Sequence, residues 1–481
     1  MTPARITLRG SQHRELVDYL EGHPLGHERA AIVLFKRLQV PVEGLAESDR
    51  FIALEVIPFN DAWVTSSSPG TVAFRLQPLR AFFQRCEEEG LVFGFAHIHP
   101  SGPRAFSQQD EENELTLLSA LANRNGDQVS FVAMLWDNHQ WTARVRSAKS
   151  PRTAVPVRHV AVLGDRIKLS LEDTSGADDV IQARQIAAFG KPFANMLSSL
   201  RVGVVGCGGT GSPTATLLAR SGVGELVLVD DDPLERSNLN RVRGLGASDV
   251  GKPKAQQLQG FIAGIGLPVQ TASFKVKADE NPAAVDALAS CDVVFGCTDE
   301  FIARELLNTC AYAFAQAYVD MGLGGRVTEG ADGTPTLRYH RARISTILPE
   351  WGECLFCQGV IRDEWIRAQY ARRENPHLTE AEMKERYLQD GATEAPGIGP
   401  FTSAAADFAV ATLFDLLKPF RRFPGEIRRD MFSIDFVTME FSSVEETGNF
   451  DCEYCGKRSF VGLKETSRLN RPFLGKRDVH V

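Results

Sequence analysis

Residues 201–254 read RVGVVGCGGTGSPTATLLARSGVGELVLVDDDPLERSNLNRVRGLGASDVGKPK. Val202 to Val205 is a short valine-rich run, the pattern of a buried strand. Gly206, Gly208, Gly209 and Gly211 follow at once, and then a helix-like stretch. Glycine at such a turn lets backbone N–H groups come close to a phosphate at the positive end of the next helix. Glu225 to Val229 reads as a second strand with Asp230 at its carboxyl end. In a doubly wound sheet that is where an acid meets a ribose hydroxyl.

A glycine loop by itself also fits a dinucleotide-dependent dehydrogenase. The residues after it argue otherwise. Ser237-Asn238-Leu239-Asn240-Arg241 follows the acid run, and Lys254 comes thirteen residues after Arg241. Hydride transfer has no need of an Arg and a Lys aimed at phosphates. Nucleotidyl transfer does, because charge develops on the transferring phosphoryl oxygens. Singly, either cation would read as part of a solvated loop; with the glycines and Asp230 they read as a nucleotide site.

These residues resemble those of the ubiquitin-activating enzymes and their bacterial relatives of the ThiF/MoeB type. The resemblance covers roughly 178–457 and includes GCGGTGS, Asp230, SNLNR, VGKPKA, Cys297-Thr298-Asp299 and two CxxC pairs. It implies ATP and magnesium as cofactors. Asp230 would hold the ribose, Asn238, Arg241 and Lys254 the phosphates, and Asp299 the magnesium. Arg241 and Lys254 would also act in catalysis. Arg184 matches an arginine that reaches across a dimer in this family, so the resemblance implies a homodimer. Many relatives have Gln after the SNLxR arginine, where this chain has Val242.

A second informative stretch lies near the amino end. Leu91 to His99 reads as a strand, which puts His97 and His99 on one side. Ser107 and Asp110 follow, at the start of a helix whose Leu115, Leu118 and Leu121 face a core. Ser107 and Asp110 read as a capping box, and a cap at that place also leaves Asp110 beside the histidines. Two His and one Asp make a zinc set with an open fourth position for water. Glu28, just ahead of the strand Ala30 to Arg37, is the candidate general base. Glu28, His97, His99, Ser107 and Asp110 resemble the motif of the JAMM/MPN metalloproteases, which cut ubiquitin-like proteins at their C-terminal bond. The resemblance covers about residues 1–145 and implies that Ser107 helps stabilise the oxyanion.

The remaining cysteines divide simply. Cys354, Cys357, Cys452 and Cys455 form two CxxC pairs and read as one structural zinc site that clips the C-terminal segment to its domain. Nine cysteines, four of them paired this way, fit a reducing cytoplasmic compartment better than a secreted disulfide framework. A net charge of −8 gives no case for nucleic acid. The N-terminus has no apolar signal region, and no run reads as a membrane span.

The expected fold class is α/β. A JAMM-type metalloprotease domain (1–146) and a linker (147–177) precede a Rossmann-like, doubly wound adenylation domain with its four-cysteine zinc site (178–457), and a tail (458–481) closes the chain. In thioester-forming relatives a nucleophilic Cys precedes the Gly399-Pro400 pair. Here that place is close to Ala392, and no Cys lies between Cys357 and Cys452. Either the enzyme stops at the acyl-adenylate, or alanine replaces a native cysteine. The resemblance implies a bacterial fusion that activates and processes a ubiquitin-like protein, with a conjugating-enzyme partner if a thioester forms. Such fusions resemble bacterial relatives of ubiquitin systems, some of which serve in antiphage defence. The alternatives are a sulfur-carrier adenylyltransferase whose protease matures the carrier, or an N-terminal domain that only docks.

Overall fold

The computed structural model describes residues 4–100, 105–171, 177–330, 332–375, 377 and 397–457. The chain folds into two compact units. The first holds the described residues of 1–41 and 46–175, the second those of 42–45 and 176–461.

The strands of the first unit are β1 (Ala4–Arg9), β2 (Ala30–Gln39), β3 (Asp49–Pro58), β4 (Val64–Ser68), β5 (Thr71–Phe74), β6 (Val92–Ile98), β7 (Ser130–Asp137), β8 (Gln140–Ser147), β9 (Ser150–Leu163) and β10 (Ile167–Leu171). Eight of them pair in the order β1-β3-β2-β6-β7-β8-β9-β10, and β1 also pairs with β9, which closes the sheet on itself. β4 and β5 form a separate hairpin. Alternation along β6 divides the core. Ala96 and Ile98 pack with Leu16 and Leu20 of the helix Gly10–Glu21. Phe93 and Phe95 pack on the other face, with Phe83 of the helix Arg80–Glu89 and with Leu117, Leu118 and Leu121 of the helix Gln108–Asn125. Because side chains alternate with period two, His97 shares the face of Phe93 and Phe95. It therefore faces the helix that carries Asp110.

The stretch 147–177, expected as a linker, is instead part of this sheet as far as Leu171. β9 bridges β8 and β1, and β10 pairs with β9. Pro151 and Pro156 suggested punctuation. They lie where β9 pairs β8 on one side only, so a residue without N–H can face the open edge.

The second unit has β11 (Arg201–Val205), β12 (Glu225–Val229), β13 (Gln270–Phe274), β14 (Val293–Gly296), β15 (Ala317–Glu329), β16 (Pro335–Ile347), β17 (Met431–Asp435) and β18 (Glu440–Ser442). They pair in the order β13-β12-β11-β14-β15-β16-β17-β18. β13 through β15 are mutually parallel, and the last three strands join antiparallel. β11 lies between β12 and β14, so its carboxyl end is the switch point where doubly wound sheets take ligands.

The helix Gly399–Leu417 is long and apolar enough by composition to cross a bilayer, contrary to the expectation that no run approaches that. Its Ala405, Ala406, Ala409 and Leu413 are wholly buried in the second unit, and Asp415 is buried with them. Ala392 and the tail 458–481 lie outside the described residues.

The closing role of β9 makes a direct prediction. A fragment of residues 1–146 leaves β8 and β1 without their shared partner, and by circular dichroism it fails to show a cooperative melt. A fragment of residues 1–175 melts cooperatively.

Candidate functional site

In the first unit three predicted ligands converge. His97 Nε2 and His99 Nε2 are 3.3 Å apart. Asp110 Oδ1 is 3.0 Å from His97 Nε2, and Asp110 Oδ2 is 3.2 Å from His99 Nε2. All three side chains are buried. The spacing fits a metal: two nitrogens bound 2.0–2.1 Å from one tetrahedral centre lie about 3.3 Å apart. Asp110 serves twice. Its Oδ2 accepts from the Ser107 N–H (2.6 Å) and hydroxyl (2.8 Å), while the Asp110 N–H donates to Ser107 Oγ at 3.2 Å. The capping box thus fixes the carboxylate beside the histidines. It also engages the Ser107 hydroxyl with Asp110.

Glu28 is buried, with Oε1 3.9 Å from His99 Nε2. Its backbone N–H donates to Ser68 of β4 at 2.9 Å. Burial pushes the Glu28 carboxyl up, against the pull of His97 and His99. For Asp110 burial acts upward too, but hydrogen bonds with both histidines hold it far below the usual carboxylate range. Two buried carboxyls are therefore driven apart, one toward accepting a proton and one toward permanent charge.

Beside the cluster, Phe106 packs on His97 with centroids 6.0 Å apart, and the Arg144 guanidinium lies 4.0 Å over the Phe106 ring. Arg144 and Arg146 both bind buried Glu114. The sequence reading missed this support. Its only signal was the i, i+2 arginine pair on β8, facing one side.

In the second unit the glycine loop closes β11. Gly206 has φ +90°, and a Cβ there would lie 2.5 Å from the Cys297 carbonyl oxygen. A Cβ on Gly211 would lie 1.7 Å from the Gly206 carbonyl oxygen. The helix Gly211–Arg220 thus starts directly on the loop. Thr210 Oγ1 donates to the Cys297 carbonyl at 3.3 Å, tying the loop to the segment that carries Asp299.

Asp230 accepts from the N–H of Cys207 at 2.6 Å and of Asp232 at 2.9 Å. Burial raises its carboxyl, opposed by the charge of Lys254 and by these two N–H groups. Lys254, buried, pairs with Asp232 at 2.8 Å. Burial would lower its ammonium, but Asp230 and Asp232 raise it, so the lysine keeps its proton. Arg241 donates to the Ser237 carbonyl (2.8 Å) and to Asn240 Oδ1 (3.0 Å), and its stem lies against Gly209 and Gly397. Asn238 accepts the Glu235 N–H and so shapes the turn that presents Arg241. The Arg243 N–H donates to Ser212 Oγ at 2.8 Å, which holds this turn to the start of the helix Gly211–Arg220. Asp299 is exposed just past β14. Arg184 is exposed on the helix Ala183–Phe189, and no hydrogen bond or ion pair joins it to this group among the described residues.

The sequence reading also missed a buried cluster at the same sheet end. Asp320 pairs in register with Gly296, just before Cys297. Its carboxylate takes hydrogen bonds from Tyr318 (2.6 Å), Arg304 (3.3 Å) and Arg343 (2.5 Å). These residues are scattered in sequence, and only the β15–β16 register brings Arg343 to Asp320.

The four cysteines also converge, with all four sulfurs within 4.8 Å of one another. Cys354 and Cys452 are 3.6 Å apart, as are Cys357 and Cys455. That is too long for a disulfide and near the ~3.8 Å edge of a tetrahedron with 2.3 Å metal–sulfur bonds. Glu353 accepts the N–H groups of Thr447 and Gly448, so a carboxylate helps hold the segment that brings in Cys452 and Cys455.

With this geometry in place, the comparisons with known proteins fall on the second unit. The model of the ThiF family matches residues 182–455, more than half of the chain. The SAMP-activating enzyme E1 of Haloferax volcanii is 44% identical over 112 residues, 23% of this chain and 41% of that one. The sulfur carrier protein ThiS adenylyltransferase of Escherichia coli is 34% identical over 127 residues, 26% of this chain and 50% of that one. The heterocyst protein HesA of Trichormus variabilis is 24% identical over 271 residues, 56% of this chain and 84% of that one. The chain spans half or less of the length of the first two of these relatives.

Two predictions follow from the geometry. Gly211→Ala forces a methyl onto the Gly206 carbonyl and costs about 3 kcal/mol, the upper range for overpacking, as denaturant melting would show. In metal-free protein, Glu28→Gln raises the melting temperature at pH 7. The raised Glu28 carboxyl destabilises the fold only once ionised. The gain therefore vanishes below about pH 4, where the unfolded carboxyl is protonated as well.

Proposed function

The chain belongs to the ThiF family, and from that premise we propose that its second unit is an adenylyltransferase for the C-terminus of a small ubiquitin-like or sulfur-carrier protein. The observation that carries this is the convergence of the glycine loop, Asp230, Lys254 and Arg241 at the carboxyl end of β11. The partner's terminal carboxylate would attack the α-phosphorus of ATP. An acyl-adenylate forms and pyrophosphate leaves, its growing charge met by Lys254 and Arg241. Asp230 would hold the ribose, and Asp299 is the carboxylate for magnesium. Arg184 is read as contributed across a homodimer.

We propose further that the first unit is a zinc peptidase of JAMM type acting on the same class of tail or its conjugates. His97, His99 and Asp110 would hold the metal, and their spacing supports the reading. Zinc there would supply a Lewis acid and a bound water of lowered pKa. Glu28, with its carboxyl raised by burial, is suited to take a proton from water and return it to the leaving amine. Ser107 would reach an oxyanion only by giving up its bond to Asp110. A second, structural zinc would sit among Cys354, Cys357, Cys452 and Cys455. This pairing fits a ubiquitin-like conjugation pathway, including one used in antiphage defence, with a conjugating enzyme downstream if residue 392 is natively Cys.

A sulfur-carrier pathway without a thioester is the second reading. It is favoured by Ala392 and by the ThiS adenylyltransferase among the relatives.

The two halves separate in assay. Pyrophosphate exchange into ATP, driven by a carrier protein ending in Gly-Gly, falls about 10²–10³-fold in Lys254→Ala and is untouched by Glu28→Ala. Hydrolysis of a tail-extended carrier shows the reverse. Exchange with no carrier of either kind would sink the first proposal; cleavage that survives Glu28→Ala would sink the second.

A further inference from the structure

The first unit has a cavity that neither reading uses. It holds about 570 Å³ and borders His99 and Pro100, a size suited to a bound side chain or small ligand. One wall comes from Glu21 and His27, the other from the β7–β8 turn, Trp136 to His139. Two carboxylates, Glu21 and Asp137, line it, and no lysine or arginine does among the described residues. Glu21 is fixed by the Trp136 indole, which donates to its Oε1 at 2.7 Å. Neither carboxylate has a basic partner among the described residues. Trp136 is itself wedged against His13 and Trp141, with centroids 5.2 and 4.9 Å away.

The turn shapes the cavity rim. Asn138 and His139 have φ +49° and +60°, consecutive left-handed residues in a two-residue hairpin. Glycine would fill the second of these positions with less strain. The chain instead keeps an imidazole there, at the cavity rim.

We propose that this cavity takes a lysine or arginine side chain of the polypeptide cleaved at the neighbouring metal cluster, within three residues of the hydrolysed bond. The inference rests on the peptidase reading above and names its substrate preference. An aromatic wall suits the apolar stem, and two unpaired carboxylates suit the charged head. The acylated amine of an isopeptide carries no charge. The bound cation is therefore a neighbour of the cleaved bond, not part of it.

The test uses the full-length, zinc-loaded protein and short peptides that differ only in Lys or norleucine, placed in turn at three positions on either side of the bond. At one position Lys should raise kcat/KM about tenfold, the sum of one cation–π contact and one exposed ion pair. Glu21→Gln with Asp137→Asn should bring that ratio to about one, and His139→Gly should lower it while keeping or raising the melting temperature. Binding of the same peptides to zinc-loaded Glu28→Ala protein, by calorimetry, reads the site without hydrolysis. Cleavage that ignores charge at every position overturns the inference and leaves the peptidase reading standing. Charge-dependent binding that the double variant loses, with no cleavage by the unaltered protein, upholds the cation site and overturns the peptidase reading. Neither cleavage nor charge-dependent binding overturns both.

Discussion

The second unit depends on one close approach. Gly211 stands where any Cβ would overlap the Gly206 carbonyl. That lets the helix Gly211–Arg220 begin where β11 ends, at the switch point of the sheet. Everything else at the site is referred to this contact. Thr210 ties the loop to the Cys297 carbonyl, Cys207 ties it to Asp230, and Ser212 ties it to the turn that presents Arg241. On the proposed reading the glycine loop at this start is the anion site. Lys254 and Arg241 lie around it, Lys254 paired with Asp232 and Arg241 hydrogen-bonded to the Ser237 carbonyl.

In the first unit the corresponding economy is a helix cap. Ser107 and Asp110 satisfy free N–H groups at the start of the helix Gln108–Asn125, a role that would be complete without any metal. Yet the cap leaves Asp110 Oδ1 turned to His97. On the proposed reading, stability and chemistry are therefore not separable at Asp110. The carboxylate that anchors the helix is also the one held charged by two imidazoles.

That these two groups of residues would come together was legible because each lies in short segments with strong local geometry. Strand period two puts His97 and His99 together, and a cap must fall at a helix start. The glycines with Asp230 need only adjacent parallel strands. What stayed hidden is what depends on register between distant segments. Asp320, Arg304 and Arg343 meet only through the pairing of β14, β15 and β16. β9 was obscured by two prolines that an edge tolerates, so 147–177 read as a linker. The helix Gly399–Leu417 did not stand out as apolar, because Asp407 and Asp415 interrupt it. Yet its alanine-rich face is what packs against the sheet.

On the proposed reading the two chemistries are ordered by their functional groups. Hydrolysis of an amide at a protein tail releases a carboxylate, and a carboxylate is the nucleophile that adenylation requires. The reverse order is unproductive: an acyl-adenylate exposed to an activated water returns to the free acid and consumes ATP. A chain carrying both activities therefore gains only if its peptidase recognises something that the adenylation product lacks. A side chain read beside the bond, on the leaving side, would be lost on cleavage, and the matured tail would no longer fit the peptidase. A cation read on that side by the acidic cavity bordering His99 would make that distinction. Discrimination there would keep one half of the chain from undoing the work of the other.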